Sequence, residues 1–179
     1  MIWFTSDLHL GHRNIIRYCN RPFNTVEDMD SELIKTINKF VKEKDTLYIL
    51  GDFCMYGSYD KRNNYRKQIN CKDVHLIIGN HDTRLLDKGK QSPFQSEQDY
   101  KELKYNKTLF CLSHYPFSSW HNIDRGSIML HGHIHSEKYY NSTNNMLGIK
   151  KYDVGVDANN YAPISIDRII EASKDVIRY

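Results

Sequence analysis

The chain has 179 residues, 40% hydrophobic and 26% charged, with a formal net charge of +3. That length suffices for a sizeable core in one domain, and the composition is that of an ordinary soluble globular protein. The small charge does not require a nucleic-acid partner, and Cys19, Cys54, Cys71 and Cys111 show no CxxC or other zinc-like spacing.

"MIWFT" reads as a buried strand, not as a basic segment followed by a long apolar run. No signal peptide or membrane span is therefore expected, and reduced thiols in a cytoplasmic protein are the simplest setting. The polar loop "SDLHLGH" follows, then "RNIIRYC" as a short helix stopped at "NRPF" by Pro22. From Thr25 the spacing is helical, with Val26, Met29, Leu33, Ile34, Ile37, Phe40 and Val41 recurring at intervals of three and four. Thr25 with Asp28 resembles a capping box with the shorter acid. "TLYIL" is a second strand, ending in "GD", and residues 60–69 form a basic helix. "VHLII" is a third strand, ending in "GNHD". "TLFCLS" is a fourth, ending in "HYP", and "SIML" a fifth, ending in "HGHIH". "IKKYDVGV" reads as a further strand, and "DRIIEASKDVIRY" as a closing amphipathic helix with Asp167 near its start. No repeat, low-complexity tract or linker divides the chain. A single domain over residues 1–179 without a separate cap is expected, and the interleaving of strands and helices predicts an α/β layered architecture.

Five apolar runs each end in a small cluster of Asp, His or Asn. Ligands of open α/β sheets bind outside the carboxyl ends of the strands. A turn explains any one cluster, since Gly-Asn is a turn dipeptide and Asn and Asp cap helices. Five turns all drawn from metal-ligand residue types are not explained that way. The candidates are Asp7 and His9, Asp52, Asn80 and His81, His114, and His133 and His135. Oxygen and imidazole nitrogen suit manganese, iron, zinc, nickel or cobalt, and the lack of a thiolate argues against a structural zinc knot. Asp7 and His9 are two apart and share a side of an extended chain. So do His133 and His135, unless a loop conformation splits them between two metals. The set is too large for one tetrahedral ion. Two metals sharing one carboxylate fit better, an arrangement that serves in-line displacement at phosphorus.

The ordered set D-x-H, G-D, G-N-H-D, H and G-H-x-H, spread over residues 7 to 135, resembles the calcineurin-like metallophosphoesterase superfamily. "LGHRNIIRYCNRPF" and "VGVDANNYAPISIDRI" are similar to a small-protein subgroup found in bacteria and phages. The resemblance implies a fold of two packed mixed β-sheets flanked by helices. It implies that Asp7, His9, Asp52 and His135 hold one metal, and that Asp52 bridges to a second held also by Asn80, His114 and His133. His81 is then a non-ligand that contacts the phosphoryl group. Asn80 offers a neutral oxygen, so the second metal keeps its pull on the phosphate. Gly79 is expected to let the backbone turn tightly, and Asp82 to orient His81 or to cap a following helix. Water between two metals is more acidic than bulk water, whose pKa falls from about 15.7 to roughly 7 on zinc. The expected reaction is in-line attack by that hydroxide, with His81 assisting the leaving group.

Around this set, His12, Arg13 and Arg17 are candidate substrate contacts. Arg13 and Arg17 share a helix face at i and i+4, whereas Arg21, beyond the helix, is expected to face solvent. Lys61, Arg62, Arg66 and Lys67 are expected to form a charged solvent face, with attraction of an anionic substrate or RNA as the alternative. Trp120 and His121 are candidates for the pocket border, and Asn159, Asn160 and Tyr161 for the cleft lining. His131 is expected to pack behind the ligands, and His75 to be structural. The implied cofactors are two divalent ions, manganese first, then iron, zinc, nickel or cobalt. The implied partner is a small phosphorylated substrate such as a nucleotide. Nucleic acid has only the basic helix in its favour, and no membrane partner is implied. An uncapped site favours phosphodiesters. The alternatives are a phosphomonoesterase acting on nucleotides or proteins, a nuclease, and a non-enzymatic scaffold, against which the intact ligand set argues.

Overall fold

The computed structural model describes residues 1–55, 59–82 and 91–173. The first sheet has the strand order β4-β3-β2-β1-β9, from Ser96–Gln98 (β4), Asp73–Ile77 (β3), Thr46–Ile49 (β2), Ile2–Thr5 (β1) and Ile164–Ser165 (β9). Neighbours β1 to β4 pair parallel and β9 pairs antiparallel with β1. The second sheet has the order β5-β6-β7-β8, from Tyr100–Tyr105, Thr108–Ser113, Ile128–His131 and Lys151–Asp153. Only its β5–β6 pair is antiparallel. Both sheets are therefore mixed, and helices flank them: α1 (Arg13–Tyr18), α2 (Val26–Phe40), α3 (Tyr59–Lys67), α4 (Tyr140–Met146) and α5 (Ile166–Ala172).

The two-residue period of the strands builds two cores from one sheet. Leu47, Ile49, Val74 and Leu76 join Ile15, Met29, Leu33, Ile34 and Ile37 in a core with α1 and α2. The alternate residues Tyr48, Leu50 and Ile77, with Phe4, meet Phe110, Leu112, Ile128 and Leu130 of the second sheet, closed by Ile166 and Ile169 of α5. Helix α2 starts where the apolar period begins. The Thr25 side chain accepts a hydrogen bond from the Asp28 amide at 3.1 Å, so a single cap forms rather than a reciprocal box. Helix α5 begins at Ile166, capped by Ser165, with Asp167 in its first turn; residues 174–179 of the expected closing helix lie outside the described residues.

Four elements exceed the sequence reading. Strands β4 and β5 precede "TLFCLS", α4 covers "YNSTNNM", and β9 is a two-residue edge. Each is polar or short, so none carries the apolar run or period on which the reading relied. Parallel pairing of β1, β2 and β3, and of β6 and β7, brings the ends of all five motif-bearing strands to one edge of the two layers. An isolated bridge between Ser6 and Gly155 ties the sheets together there.

Candidate metal centre

At that edge the chain turns sharply on residues that resist it. Asp7 (φ 56°), His9 (51°), Asp52 (53°), His133 (72°) and His135 (45°) all adopt left-handed backbone. This conformation costs a non-glycine residue about 1–2 kcal/mol and persists where surrounding structure over-determines it. The determination here is a set of stitches between loops. Asp7 and His9 donate amides to Gly51 and Asp52 carbonyls at 3.1 and 2.9 Å, and Gly132 donates to His114 at 3.0 Å. The His133 amide donates to both Asp7 carboxylate oxygens, at 3.1 and 3.0 Å.

Among the described residues Asp82 caps no helix. Its carboxylate accepts the amides of Asp52 (2.8 Å), Phe53 (3.1 Å) and Gly79 (2.9 Å), clamping the "GD" loop to the "GNHD" loop. Residues 83–90, where the expected helix would lie, are outside the described residues. Gly79 serves close approach rather than a special backbone angle: a Cβ there would overlap the Asp52 carboxylate.

The eight sequence candidates Asp7, His9, Asp52, Asn80, His81, His114, His133 and His135 come together. Asp52 Oδ2 lies 3.4 Å from His9 Nε2 and 3.5 Å from His114 Nε2. Asn80 Oδ1 lies 3.0 Å from His114 Nε2 and 3.0 Å from His133 Nδ1. Three overlapping groups, Asp7–His9–His135, Asp7–Asp52–His114 and His9–Asp52–His81, each offer ligand atoms within 4.8 Å of one another. His81 thus lies within reach of both an ion and the oxygens around it, with its amide held on Asp52 Oδ1 at 2.9 Å.

Three observations fit this donor set to divalent cations. His9 Nε2 is buried without a hydrogen-bond partner. His114 Nδ1 donates to the Leu50 carbonyl at 2.8 Å, which turns Nε2 towards oxygens of Asn80 and Asp52. Burial opposes a charge on the ring, but the Asp52 hydrogen bond and the Asp7 charge raise its pKa, so a proton on Nε2 fills the place a cation would take. Lone pairs facing lone pairs need a proton or a metal between them. The third is the charge balance. Burial pushes the Asp7 carboxyl up to about 7, against the pull of His135 and His114, and lowers His9 to about 3. Burial also opposes ionisation of Asp52, yet the hydrogen bond and charge of His114, with the His81 amide, hold it down at about 2.

One ligand candidate is braced by residues that the motifs do not contain. His135 Nδ1 donates to Asp157 Oδ2 at 2.7 Å, which leaves Nε2 as its second donor atom. Burial works against a charged His135, but Asp157, Cys19 and Asp7 together push it up to about 10. Asp157 is held in turn by Arg21, whose Nε and Nη2 donate to its two oxygens at 2.8 Å each. Arg21 also donates to the carbonyls of Asp7 (2.7 Å) and Leu8 (3.1 Å). The expectation that Arg21 faces solvent is therefore corrected: it is 4% exposed. The Arg21 amide bonds back to Ile16 at 2.8 Å after α1 ends. Its side chain runs inward to carbonyls that the left-handed loop has turned away from any strand partner. "NRPF" and "VGVD" held this signal only as an arginine and an aspartate 136 residues apart.

The remaining candidates divide. The His12 ring is 5.3 Å from His9 and 6.0 Å from His81, so it joins the centre. Arg13 and Arg17 stay exposed on α1; the Arg17 guanidinium stacks over Tyr18 at 5.6 Å, and neither arginine bonds a candidate ligand among the described residues. The basic helix is not one solvent face. Arg62 is 3% exposed and paired with Glu97 at 3.2 Å, and Arg66 donates to the carbonyls of Ile69, Cys71 and Lys72. Trp120 is buried with Cys111 and Met129, and His121 pairs with Glu102 at 2.9 Å in a cleft of other residues. Asn159 donates to the carbonyls of Asp153 and Gly155, and Tyr161 packs on Phe23, so both are scaffold. His131 is buried against Gly132 and Tyr140, and His75 bonds Ser96 and stacks on Tyr48, as expected.

A family model described as calcineurin-like phosphoesterase matches residues 1–171. The uncharacterized protein MJ1445 of Methanocaldococcus jannaschii is 32% identical over 170 residues, 95% of this chain and 89% of that one. The gene 66 protein of Mycobacterium phage D29 is 29% identical over 201 residues, covering 98% of this chain and 96% of its own. The crystal structure of AQ665 from Aquifex aeolicus, a protein of unknown function, superposes with a TM-score of 0.74 at 24% identity, covering 96% of this chain and 98% of that one. That likeness is one of fold.

Proposed function

The chain belongs to the calcineurin-like phosphoesterase family, and on that premise we propose that it hydrolyses phosphate esters, phosphodiesters by preference, with two divalent ions that share Asp52. The observation that carries this reading is the position of Asp52 Oδ2 between His9 Nε2 and His114 Nε2, at 3.4 and 3.5 Å. Asp7, His9, Asp52 and His135 would hold one ion, and Asp52, Asn80, His114 and His133 the other. Manganese is the first choice among manganese, iron, zinc, nickel and cobalt, which suit nitrogen and oxygen donors. When bound, such ions lower the pKa of coordinated water towards neutrality and neutralise phosphoryl oxygens.

The chain supplies the rest. Asp52 carries its charge between the two halves, and Asn80 contributes oxygen without charge, so the outer half stays electrophilic. His81, its ring 5.1 Å from that of His9, gives a proton to the departing oxygen or a hydrogen bond to the phosphoryl group. His12 sits beside it as a substrate contact. The reading needs no side-chain nucleophile. Asn80 is exposed at the mouth, and the described residues there leave room for the second substituent of a diester.

Elemental analysis of the purified protein, with hydrolysis of p-nitrophenyl phosphate and its bis-ester, tests the proposal. About two divalent ions per chain, loss of hydrolysis on chelation and its return with manganese are expected. At most one ion at full occupancy, with chelator-insensitive activity, overturns the two-ion scheme. A higher kcat/KM for the monoester overturns the diester preference alone.

A further inference from the structure

Three side chains with large apolar surface stand exposed at the rim of the centre. Tyr18, at the end of α1, is 64% exposed; Tyr115, directly after His114, is 43% exposed; Ile134, between His133 and His135, is 41% exposed. The two tyrosines terminate one run of rings. Tyr18 meets His12 edge-on with centroids 6.2 Å apart, and His12 is 5.3 Å from His9. Asp52 links His9 to His114. Beyond it His114 and His133 lie 5.0 Å apart, and Tyr115 packs edge-on against both, at 5.1 and 4.7 Å. One tyrosine therefore stands at the His9 side of the centre and the other at the His133 side.

We infer that Tyr18 and Tyr115 are stacking platforms for two unpaired bases of a single-stranded nucleic acid, one on either side of the scissile phosphodiester. The inference rests on the phosphoesterase reading of the centre and names its substrate class. Every base has a π-face, and stacking on an exposed aromatic ring tolerates any sequence. A ring held beside the reacting phosphorus at each end suits a diester with a planar group on both substituents. A phosphomonoester occupies one platform at most, and paired bases already stack on each other. The arginine stacked on Tyr18 adds a cation to that platform, and exposed Arg13 lies on the same helix, where a polyanionic backbone would pass. Support for nucleic acid thus moves from α3, where Arg62 and Arg66 are engaged internally, to the rim of the centre.

Calorimetric binding in manganese buffer to the full chain carrying His81→Ala, which is expected to slow hydrolysis of the probes, tests this, with thymidylyl-thymidine and two analogues lacking the 5′ or the 3′ base. Loss of either base is expected to weaken binding on the order of tenfold. Tyr18→Ala should erase the preference for one base and Tyr115→Ala for the other, while Tyr→Phe at either position keeps it. Equal affinity for the dinucleotide and its abasic analogues, no measurable binding of the dinucleotide, or unchanged preferences in both alanine variants would each overturn the inference. Hydrolysis of the bis-p-nitrophenyl ester, measured in parallel on the chain with His81 intact, reports on the phosphoesterase reading separately. Base-dependent binding without that hydrolysis sinks the reading and leaves recognition of bases standing.

Discussion

The two halves of the proposed metal centre are built on different plans. On the Asp7 side two donors are sealed, Asp7 at 0% and His9 at 1% exposed, and the partly buried His135 rests on the Asp157–Arg21 pair. On the Asn80 side His114 is as deeply buried, at 0%, but Asn80 and His133 reach solvent, the distinctive oxygen is a neutral amide, and Tyr115 leans on His133 in place of a carboxylate. Coulombic attraction to a cation grows with each buried carboxylate. The sealed half, with Asp7 and Asp52, should therefore retain its ion, and the open half exchange it and meet the substrate.

The strongest way to break that contrast is to remove what the halves share. Asp52→Asn is expected to empty both and to lower kcat/KM roughly a thousandfold, the scale of a lost charge-stabilising group. Retention of a full metal complement by elemental analysis would mean that Asp52 does not bridge. His81→Ala should leave metal content near wild type and slow turnover about a hundredfold; loss of an ion would make His81 a ligand. Asp157→Asn sharpens the comparison, because it touches the sealed half alone. Manganese titration should show the tighter site weakened by a factor of about 10 to 100, with the looser site unchanged. Equal weakening of both would show that the brace serves the whole centre. The smallest effect is a control at a distance. Thr25→Ala removes the α2 cap and should cost about 1 kcal/mol, read as a lower Tm, with both manganese affinities intact.

The cluster of candidate donors was legible in the sequence because its signal is local. A strand that ends in Asp, His or Asn declares itself within five residues, and all eight candidates met at one edge. The conformation that aims them was not. Nothing in "SDLHLG" or "HGHIH" marks left-handed turns at Asp7, His9, His133 and His135, since glycine, the residue that usually announces such turns, does not occupy those positions. The support was illegible for a related reason. Arg21 sits in a turn sequence that looks solvent-bound, and Asp157 follows a presumed strand; only the folded chain brings them together. The polar strands β4 and β5 escaped because "SEQ" and "YKELKY" bury little, so periodicity had nothing to register.

The Arg21–Asp157 pair also sets an order of events in the making of the molecule. The first metal motif leaves the ribosome at residues 7 to 9, but Asp157 lies 136 residues behind Arg21. At about 5–20 residues per second that interval lasts roughly 7 to 27 seconds. For most of it His135, and throughout it the aspartate that holds it, have yet to be synthesised, and the carbonyls of Asp7 and Leu8 lack the fully anchored arginine. Under the proposed two-ion scheme a nascent chain would expose Asp7 and His9 as an unfinished chelate, with weak hold on any ion it met. Under that scheme, tight capture would wait until Asp157 is in place, so the finished cage and not the first ion to arrive would select the metal.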